Sequence, residues 1–385
     1  MNDDAHALPG PRAPGEEGSP DDAAALAATA PRSAHGALRD AEGRFQNTEP
    51  GFAPRGLAEV LRWKWQAARA GVPKPPTTPI PQVAPDLAFL HANAAAGAAM
   101  QPAATWIGHA SVLLQVGGLN VLTDPVFSDR ASPLPFAGPK RHQPPGVALK
   151  DLPRIDLVLV SHNHYDHLDA PTLAALQHQR GGPPCVVLPL GLKAWCDAHR
   201  IANAVELDWW QQHALASPQG PVDVMLVPAQ HWSARGLGDR LKTLWGGFAL
   251  LAPDAHVFFA GDTAYSRDFA DIRARLADRQ SPAGGGGFDL ALLPIGAYEP
   301  RWFMKNQHVN VPEALKIHAD VGAKRSLGVH WGTFTLTDEP LDEPPRVLAE
   351  LRAQAGLPED AFFTLAIGQT RRFARREAVG DARLP

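Results

Sequence analysis

The sequence predicts an α/β fold of four layers, αββα: two β-rich layers face each other, and helices cover the outer side of each. Three observations lead there. From residue 101 onward, short apolar runs rich in β-branched residues alternate with turn signals. In both halves of that region strands precede helices at similar spacing. Four of the apolar runs end in histidine or aspartate, at the carboxyl ends of strands where open α/β sheets place their ligands.

The elements follow in chain order. Residues 1–42 are small, polar and rich in Pro and Gly, and are expected to be disordered. The opening MNDDAHALPGPRAPGEEGSPDD lacks the basic and apolar segments of a secretory signal. Residues 43–100 read as an N-terminal extension packed on the main domain. There GRFQNTEPGF supplies aromatic anchors, and GLAEVLRWKWQAARAG reads as an amphipathic helix of roughly four turns. Its apolar stripe, Leu57, Val60, Leu61 and Trp65, is assigned to the packed face rather than to a membrane, since only one stripe of the helix is apolar. PKPPTTPIPQVAP is an extended Pro-rich linker over the domain surface. The main domain, residues 101–375, starts with ATWIGHA, SVLLQVGG and LNVLTDP, where Gly-Gly signals a hairpin. The strand RIDLVLVSH, a helix over 170–180, the strand CVVLPL, a helix over 191–199, the strand VDVMLVP and a hairpin around 243–260 come next. A helix over 266–279, a SPAGGGGF surface loop, the strand DLALLPIG, a helix over 312–321, the strand RSLGVH and a helix over 343–355 complete it. The Gly284–Gly287 run has no GK[ST] sequel and precedes a strand, so it is not read as a phosphate cradle. Residues 376–385 form a C-terminal tail.

Composition narrows the function. Apolar residues make up 45% and charged residues 20%, with a net charge of −4 and a pI near 6.5. That balance is globular and gives no basic footprint for nucleic acid, so no nucleic-acid partner is expected. Cys185 and Cys196 lie in apolar text without a CxxC spacing, which argues against a disulfide framework and a cysteine-ligated metal. No run of eighteen apolar residues is present. The expected location is the cytoplasm, with peripheral contact at the inner membrane face left open.

The chemistry concentrates in SHNHYDHLD, residues 161–169. His162 and His164 alternate to one side of an extended chain, and Asp166 and His167 open the next turn, so one loop offers two ligands to each of two ions. VMLVPAQHWSAR brings His231, HVFFAGDTAY brings Asp262 and RSLGVHWGTF brings His330, each after an apolar strand. Imidazole and carboxylate ligation suits zinc first, with iron or manganese as alternatives.

This combination resembles the metallo-β-lactamase superfamily of dinuclear hydrolases over residues 101–375, and so implies its αββα sandwich. By position, the resemblance gives His162, His164 and His231 to one divalent ion. It gives Asp166, His167 and His330 to the other, with Asp262 bridging. Asp124, in VLTDP, matches the superfamily's first short motif and is expected behind the ligands together with His109. The longer motifs TWIGHASVLLQ, LTDPVFSDRASPLPFAGPKR, SHNHYDHLD, QHWSAR, FAGDTAY, IGAYEPRWFM, QHVN and VHWGTF resemble one branch, the N-acyl-phosphatidylethanolamine-hydrolysing phospholipases D and their bacterial relatives. GRFQN and the Trp-bearing helix resemble that branch's N-terminal extension. The chain departs from the branch in QHVNVPEA, where Asn310 and Val311 stand in place of an acidic residue followed by Pro-Glu-Glu.

The resemblance implies a phospholipase D-type hydrolysis of N-acyl-phosphatidylethanolamine or a similar phosphodiester, with two divalent ions, and it also implies a homodimer. Asp166, His308 and Gln307 are the candidate catalytic groups, the latter two beside the leaving oxygen. Lys140, Arg141 and Arg301 are candidate phosphate-binding cations. Tyr298, with Trp302, Phe303 and Met304, either lines a lipid channel or packs as core. The competing readings are a sugar-phosphate lactonase, an RNA-processing nuclease and a non-catalytic metal-binding protein. The mildly acidic chain speaks against the nuclease, the long extension against the lactonase, and the complete ligand set against the last.

Overall fold

The computed structural model describes residues 36–376 other than 53, 237 and 281–285. Its architecture is the expected four-layer sandwich. One sheet holds β3 (Ala103–Gly108), β4 (Ser111–Val116), β5 (Leu119–Thr123), β6 (Leu157–Leu159), β7 (Cys185–Pro189), β8 (Ala204–Leu207) and β16 (Thr370–Arg372), after a short ribbon of β1 (Leu38–Arg39) and β2 (Phe45–Gln46). The other holds β9 (Gln212–Leu215), β10 (Val222–Val227), β11 (Gly247–Ala252), β12 (Ala255–Phe259), β13 (Leu290–Pro294), β14 (Ser326–Val329) and β15 (Phe362–Phe363). Their orders are β16-β3-β4-β5-β6-β7-β8 and β15-β14-β13-β12-β11-β10-β9. Each sheet joins an antiparallel half to a parallel half. The change falls at β5–β6 in the first sheet and at β12–β13 in the second.

Both faces of each sheet are covered, so the central strands read as continuous apolar runs instead of alternating ones. Alternate residues still go to different cores. Trp106, Leu114, Val121, Leu157, Leu159 and Val187 meet Val224, Leu226, Phe248, Leu250, Val257 and Phe259 between the sheets. Their neighbours Ile107, Leu113, Leu122, Val158, Val186 and Leu188 go to the outer side, under Leu173 and Leu176 of a helix at Ala170–Gln177. Gly117 and Gly118, at φ +62° and +77°, form the two-residue turn between β4 and β5, which pair from Val116 and Leu119.

Helices α1 (Leu57–Ala70), α2 (Leu87–Ala95), α3 (Ala170–Gln177), α4 (Lys193–Ala198), α5 (Asp268–Leu276), α6 (Arg301–Met304), α7 (Val311–Asp320) and α8 (Glu343–Gln354) complete the described elements. α2 and α6 lie where the sequence reading placed no helix, and β8, β9, β15 and β16 are additional short strands. The Asp86 side chain accepts from Phe89 N and starts α2 directly after the linker. The linker itself is extended: Thr77 and Thr78 bond Asp342, Ile80 is buried, and Gln82 bridges to Ile367.

Two expectations change. Residues 36–42, grouped with the disordered tail, include β1, and Ala37 N donates to Asp208 Oδ1 at 2.9 Å. The remainder of that tail, residues 1–35, lies outside the described residues, as do 281–285 of the SPAGGGGF loop and 377–385 of the C-terminal tail. The second change concerns α1. Its packed face is Trp63 and Ala67, with Val60 partly buried, against Phe303 and Met304. Leu57, Leu61 and Trp65, assigned to that face from sequence, are exposed. Trp63 wins because its indole donates to Asp338 Oδ2 at 2.9 Å and its ring lies 4.9 Å from that of Phe303.

The carboxyl ends of the two sheets approach closely at Gly261 (φ +61°), which follows β12. A Cβ there would lie 2.7 Å from Ser161 Cβ and 3.0 Å from the Gly246 carbonyl oxygen. We expect Gly261→Ala to destabilise the protein by about 2 kcal/mol or more, from both positive φ and overlap. A lower urea midpoint would show it, and an unchanged midpoint would contradict this approach of the sheets.

Candidate metal centre

Seven side chains reach one space from four separate segments. His162 leaves the end of β6 in extended chain. The backbone then turns, with His167 N and Leu168 N both donating to His164 O at 3.1 and 2.9 Å. That turn brings Asp166 and His167 round to a second position. His231 follows β10, Asp262 follows β12 and His330 follows β14. His109, Asp124 and His330 hold positive φ of 54°, 32° and 63°. Non-glycine residues adopt this conformation at a cost on the order of 1–3 kcal/mol, so strand-end packing over-determines these side chains.

The inward atoms form two groups. In one, His164 Nδ1 lies 2.8 Å from His162 Nε2 and 3.3 Å from His231 Nε2. In the other, His167 Nε2 lies 3.3 Å from both His330 Nε2 and Asp166 Oδ2. Asp262 stands between them. Its Oδ2 is 3.1 Å from His167 Nε2, 3.8 Å from His231 Nε2 and 3.9 Å from His162 Nε2, and its Oδ1 is 3.1 Å from His330 Nε2.

The outward atoms fix which nitrogen faces in. Asp124 Oδ2 accepts from His167 Nδ1 at 2.6 Å. The Ser161 hydroxyl donates to Asp124 Oδ2 at 2.5 Å, so its oxygen accepts from His162 Nδ1 at 2.9 Å. The Gln307 carbonyl accepts from His231 Nδ1 at 2.8 Å. Each acceptor holds a proton on the outer nitrogen and turns Nε2 inward. His109 Nε2 lies 3.0 Å from Asp166 Oδ2.

Protonation agrees with that picture. Burial pushes His164 down to about 3 and His231 to about 4, and holds His162 well below the usual histidine range. These imidazoles are neutral, as ligands must be. Burial also opposes charge on His167 and His330, yet the carboxylates overcome it. Asp262, Asp166 and Asp124 raise His167, and Asp262 and Asp166 raise His330 to about 9. Without a cation, protons on these two rings balance the buried acids.

The donor set fits divalent metal. Ions bonded to imidazole nitrogen at roughly 2.0–2.1 Å set neighbouring nitrogens roughly 3.3–3.4 Å apart at tetrahedral angles. The separations of 3.3 Å match this. His109, Asp166, His167 and His330 form one group able to hold an ion, and His162, His164 and His231 form another. His308 joins His231 and Asp262 in a third combination, with its Nδ1 3.8 Å from Asp262 Oδ2.

The expected substrate-binding residues fare differently. Tyr298 is buried, and its hydroxyl donates to Glu343 Oε1 at 2.7 Å, so its phenol serves the core and not the centre. Arg301 pairs with Glu313 at 2.8 Å and donates to the His308 carbonyl at 2.9 Å, which makes it a support for His308 in place of a free phosphate-binding cation. Arg141 is buried and donates to the carbonyls of Val126 and Ser128 at 2.9 and 3.1 Å. Burial lowers it to about 10. It braces the loop after β5. Lys140 is exposed where its backbone bridges to Arg130, and the described contacts bring it to none of the seven. The Gln307 side chain turns to Met304 Sδ at 3.2 Å, so this residue acts on His231 through its carbonyl and not as a catalytic amide. Phe303 and Met304 pack as core against Trp63, and Trp302 is exposed. A cleft of about 810 Å³ beside the ligand loop is lined by Tyr165, Trp195, Arg235 and Asp239, and by none of the seven.

Sequence reasoning missed Asn47. Its amide donates to the His231 carbonyl at 2.9 Å and accepts from His231 N at 3.0 Å and Trp245 Nε1 at 2.9 Å. Its place in GRFQN was the available signal. Ser161 was also missed, although it opens the histidine-rich stretch.

The chain is similar to known proteins. A family model described as the beta-lactamase superfamily domain matches residues 119–331. The N-acyl-phosphatidylethanolamine-hydrolyzing phospholipase D 1 of Caenorhabditis elegans is 42% identical over 274 residues, covering 69% of this chain and 74% of the worm protein. The mitochondrial protein of that name from Saccharomyces cerevisiae is 38% identical over 272 residues, covering 70% of this chain and 55% of its own. Among solved structures, the isothiocyanate hydrolase from Delia radicum gut bacteria superposes with a TM-score of 0.53 at 18% identity, over 71% of this chain and 99% of that one. A metallo hydrolase of Ignicoccus hospitalis gives 0.52 at 19% identity, over 71% and 98%. These two show the same fold.

Asn47 yields a direct check. We expect Asn47→Ala to leave buried groups of His231 unpaired, cost about 2 kcal/mol and lower the metal content of the purified protein. Full metal content with an unshifted urea midpoint would show that the extension does not hold His231.

Proposed function

We propose that this chain, which belongs to the β-lactamase superfamily and within it to the branch of the N-acyl-phosphatidylethanolamine-hydrolysing phospholipases D, cleaves a phosphodiester bond of a phospholipid with two divalent ions, zinc first among them. Its family is one of metal-dependent hydrolases. The observation that carries the finer reading is the position of Asp262 between two sets of three inward ligand atoms, with His308 facing the same space. The names of the worm and yeast relatives point to N-acyl-phosphatidylethanolamine or a similar lipid as the substrate class.

Two bound ions would supply Lewis acidity for the phosphoryl oxygens and lower the pKa of water. The chain's own residues do the rest. His162, His164 and His231 would hold one ion, Asp166, His167 and His330 the other, and Asp262 would serve both. Asp124, Ser161 and the Gln307 carbonyl keep the inward lone pairs oriented. Burial, opposed by Asp262 and reinforced by His231 and His330, holds His308 well below the usual histidine range. Its imidazole is neutral and has one N–H to donate. Its Nδ1 is buried without a partner among the described residues. We give this ring the hydrogen bond to the leaving oxygen, with Arg301 fixing its backbone.

The test is hydrolysis by the purified, metal-analysed protein of bis-p-nitrophenyl phosphate, N-acyl-phosphatidylethanolamine, a lactone and a β-lactam. We expect the two phosphodiesters to be cleaved, with activity lost to a chelator and restored by zinc. Absence of phosphodiesterase activity from protein carrying two ions would overturn the reading. His308→Ala should lower turnover by about 10²-fold with metal content unchanged. A parallel loss of metal would make His308 a ligand.

A further inference from the structure

Helix α1 carries two apolar faces where one suffices to hold it. Trp63 and Ala67 attach it to Phe303 and Met304. On another side Leu57, Leu61 and Trp65, spaced i, i+4, i+8, are 74%, 61% and 60% exposed. They form a ridge about 12 Å long. Trp302, 38% exposed, lies beside it under the Arg62 guanidinium, 5.0 Å from its ring. At 100° per residue, Arg62 and Arg69 flank one side of the ridge and Lys64 the other. Arg69 also lies over Trp65 at 4.8 Å. All three cations are exposed, and the helix's one carboxylate, Glu59, is tied to Arg55 at 2.7 Å and to Gly56 N at 2.9 Å. This local basic surface runs against a chain of net charge −4.

We propose that this face of α1, with Trp302, is the docking surface for an anionic lipid bilayer. It rests on the phospholipid reading above, which requires the protein to meet its substrate at a lipid surface. Large apolar side chains with a Trp, flanked on both sides by Arg and Lys, suit burial at the boundary between headgroups and acyl chains. The long cationic side chains can lie along the ridge and keep their charged ends at the phosphates. Charge complementarity selects the lipid over a second copy of the chain, because pairing two ridges would bring Arg62, Lys64 and Arg69 of both copies together. The face also stands next to the site. Trp63 packs on Phe303, Met304 O accepts from His308 N at 2.9 Å, and His308 faces Asp262.

The experiment sediments the full chain with vesicles of phosphatidylcholine, alone or mixed with phosphatidylglycerol. Neither lipid is N-acylated, so binding is read apart from hydrolysis. We expect binding to the mixed vesicles, weaker by at least ~5-fold on phosphatidylcholine alone. Leu61→Ser with Trp65→Ser should weaken binding to the mixed vesicles at least ~10-fold. Arg62→Glu with Arg69→Glu should remove the preference for phosphatidylglycerol. The thermal midpoint and bis-p-nitrophenyl phosphate hydrolysis of each variant should match those of the unmodified protein, since all four residues are exposed. No binding by the unmodified protein, equal binding by the ridge variant, or a ridge variant that changes only the oligomeric mass would overturn the proposal. Vesicle binding without phosphodiesterase activity would overturn the functional reading and leave this surface standing.

Discussion

Asp262 is the charge on which the centre depends. Five imidazole nitrogens, from His162, His167, His231, His308 and His330, lie within 3.9 Å of its carboxylate. Removed from water, the charge on His167 and His330 is held by Asp262 together with Asp166, and the Asp262 carboxylate would be costly without these rings. Burial pushes Asp262 upward, but His167, His330 and His308 outweigh it and hold the acid well below the usual carboxylate range. The same constraint sets the backbone. The carboxylate must stand at the junction of the two sheets, and only a residue without a side chain fits beside Ser161 and Gly246, which is why glycine precedes it.

Around this charge, three of the candidate ligands are oriented by different kinds of acceptor: a carboxylate for His167, a hydroxyl for His162 and a backbone carbonyl for His231. Asp124 serves two of them, directly and through Ser161. Its own charge is disfavoured by burial and supported by His167 and Ser161. Orientation therefore comes from the ends of β5 and β6 for His167 and His162, and from the segment after α6 for His231.

The seven side chains that converge on the candidate metal centre were legible in the sequence because they are local. Four occur within six residues, and the other three each follow an apolar strand, a pattern that strand geometry alone makes meaningful. The failures share the opposite cause. Tyr298, Arg301 and Arg141 looked available because their partners, Glu343, Glu313 and the Val126 carbonyl, lie 12 to 45 residues away. Gln307 acts through a backbone atom, which its side chain could not announce. The α1 stripe misled for a related reason. Periodicity identifies an apolar face, but what that face meets is decided by residues some 240 positions later, and Phe303 and Met304 chose Trp63.

The N-terminal extension is therefore part of the centre's construction. Asn47 holds the backbone of His231 from one side, and α1 reaches the other side through α6. Trp63 packs on Phe303, the Met304 carbonyl receives the amides of Gln307 and His308, and the Gln307 carbonyl returns to His231. His231 is thus held between Asn47 of the extension and Gln307, which follows the helix that the extension packs against. A segment with only a covering role would need apolar contacts alone. Here it also places two polar bonds on a ligand backbone and supports the element that carries His308, so the extension and the sandwich form one site.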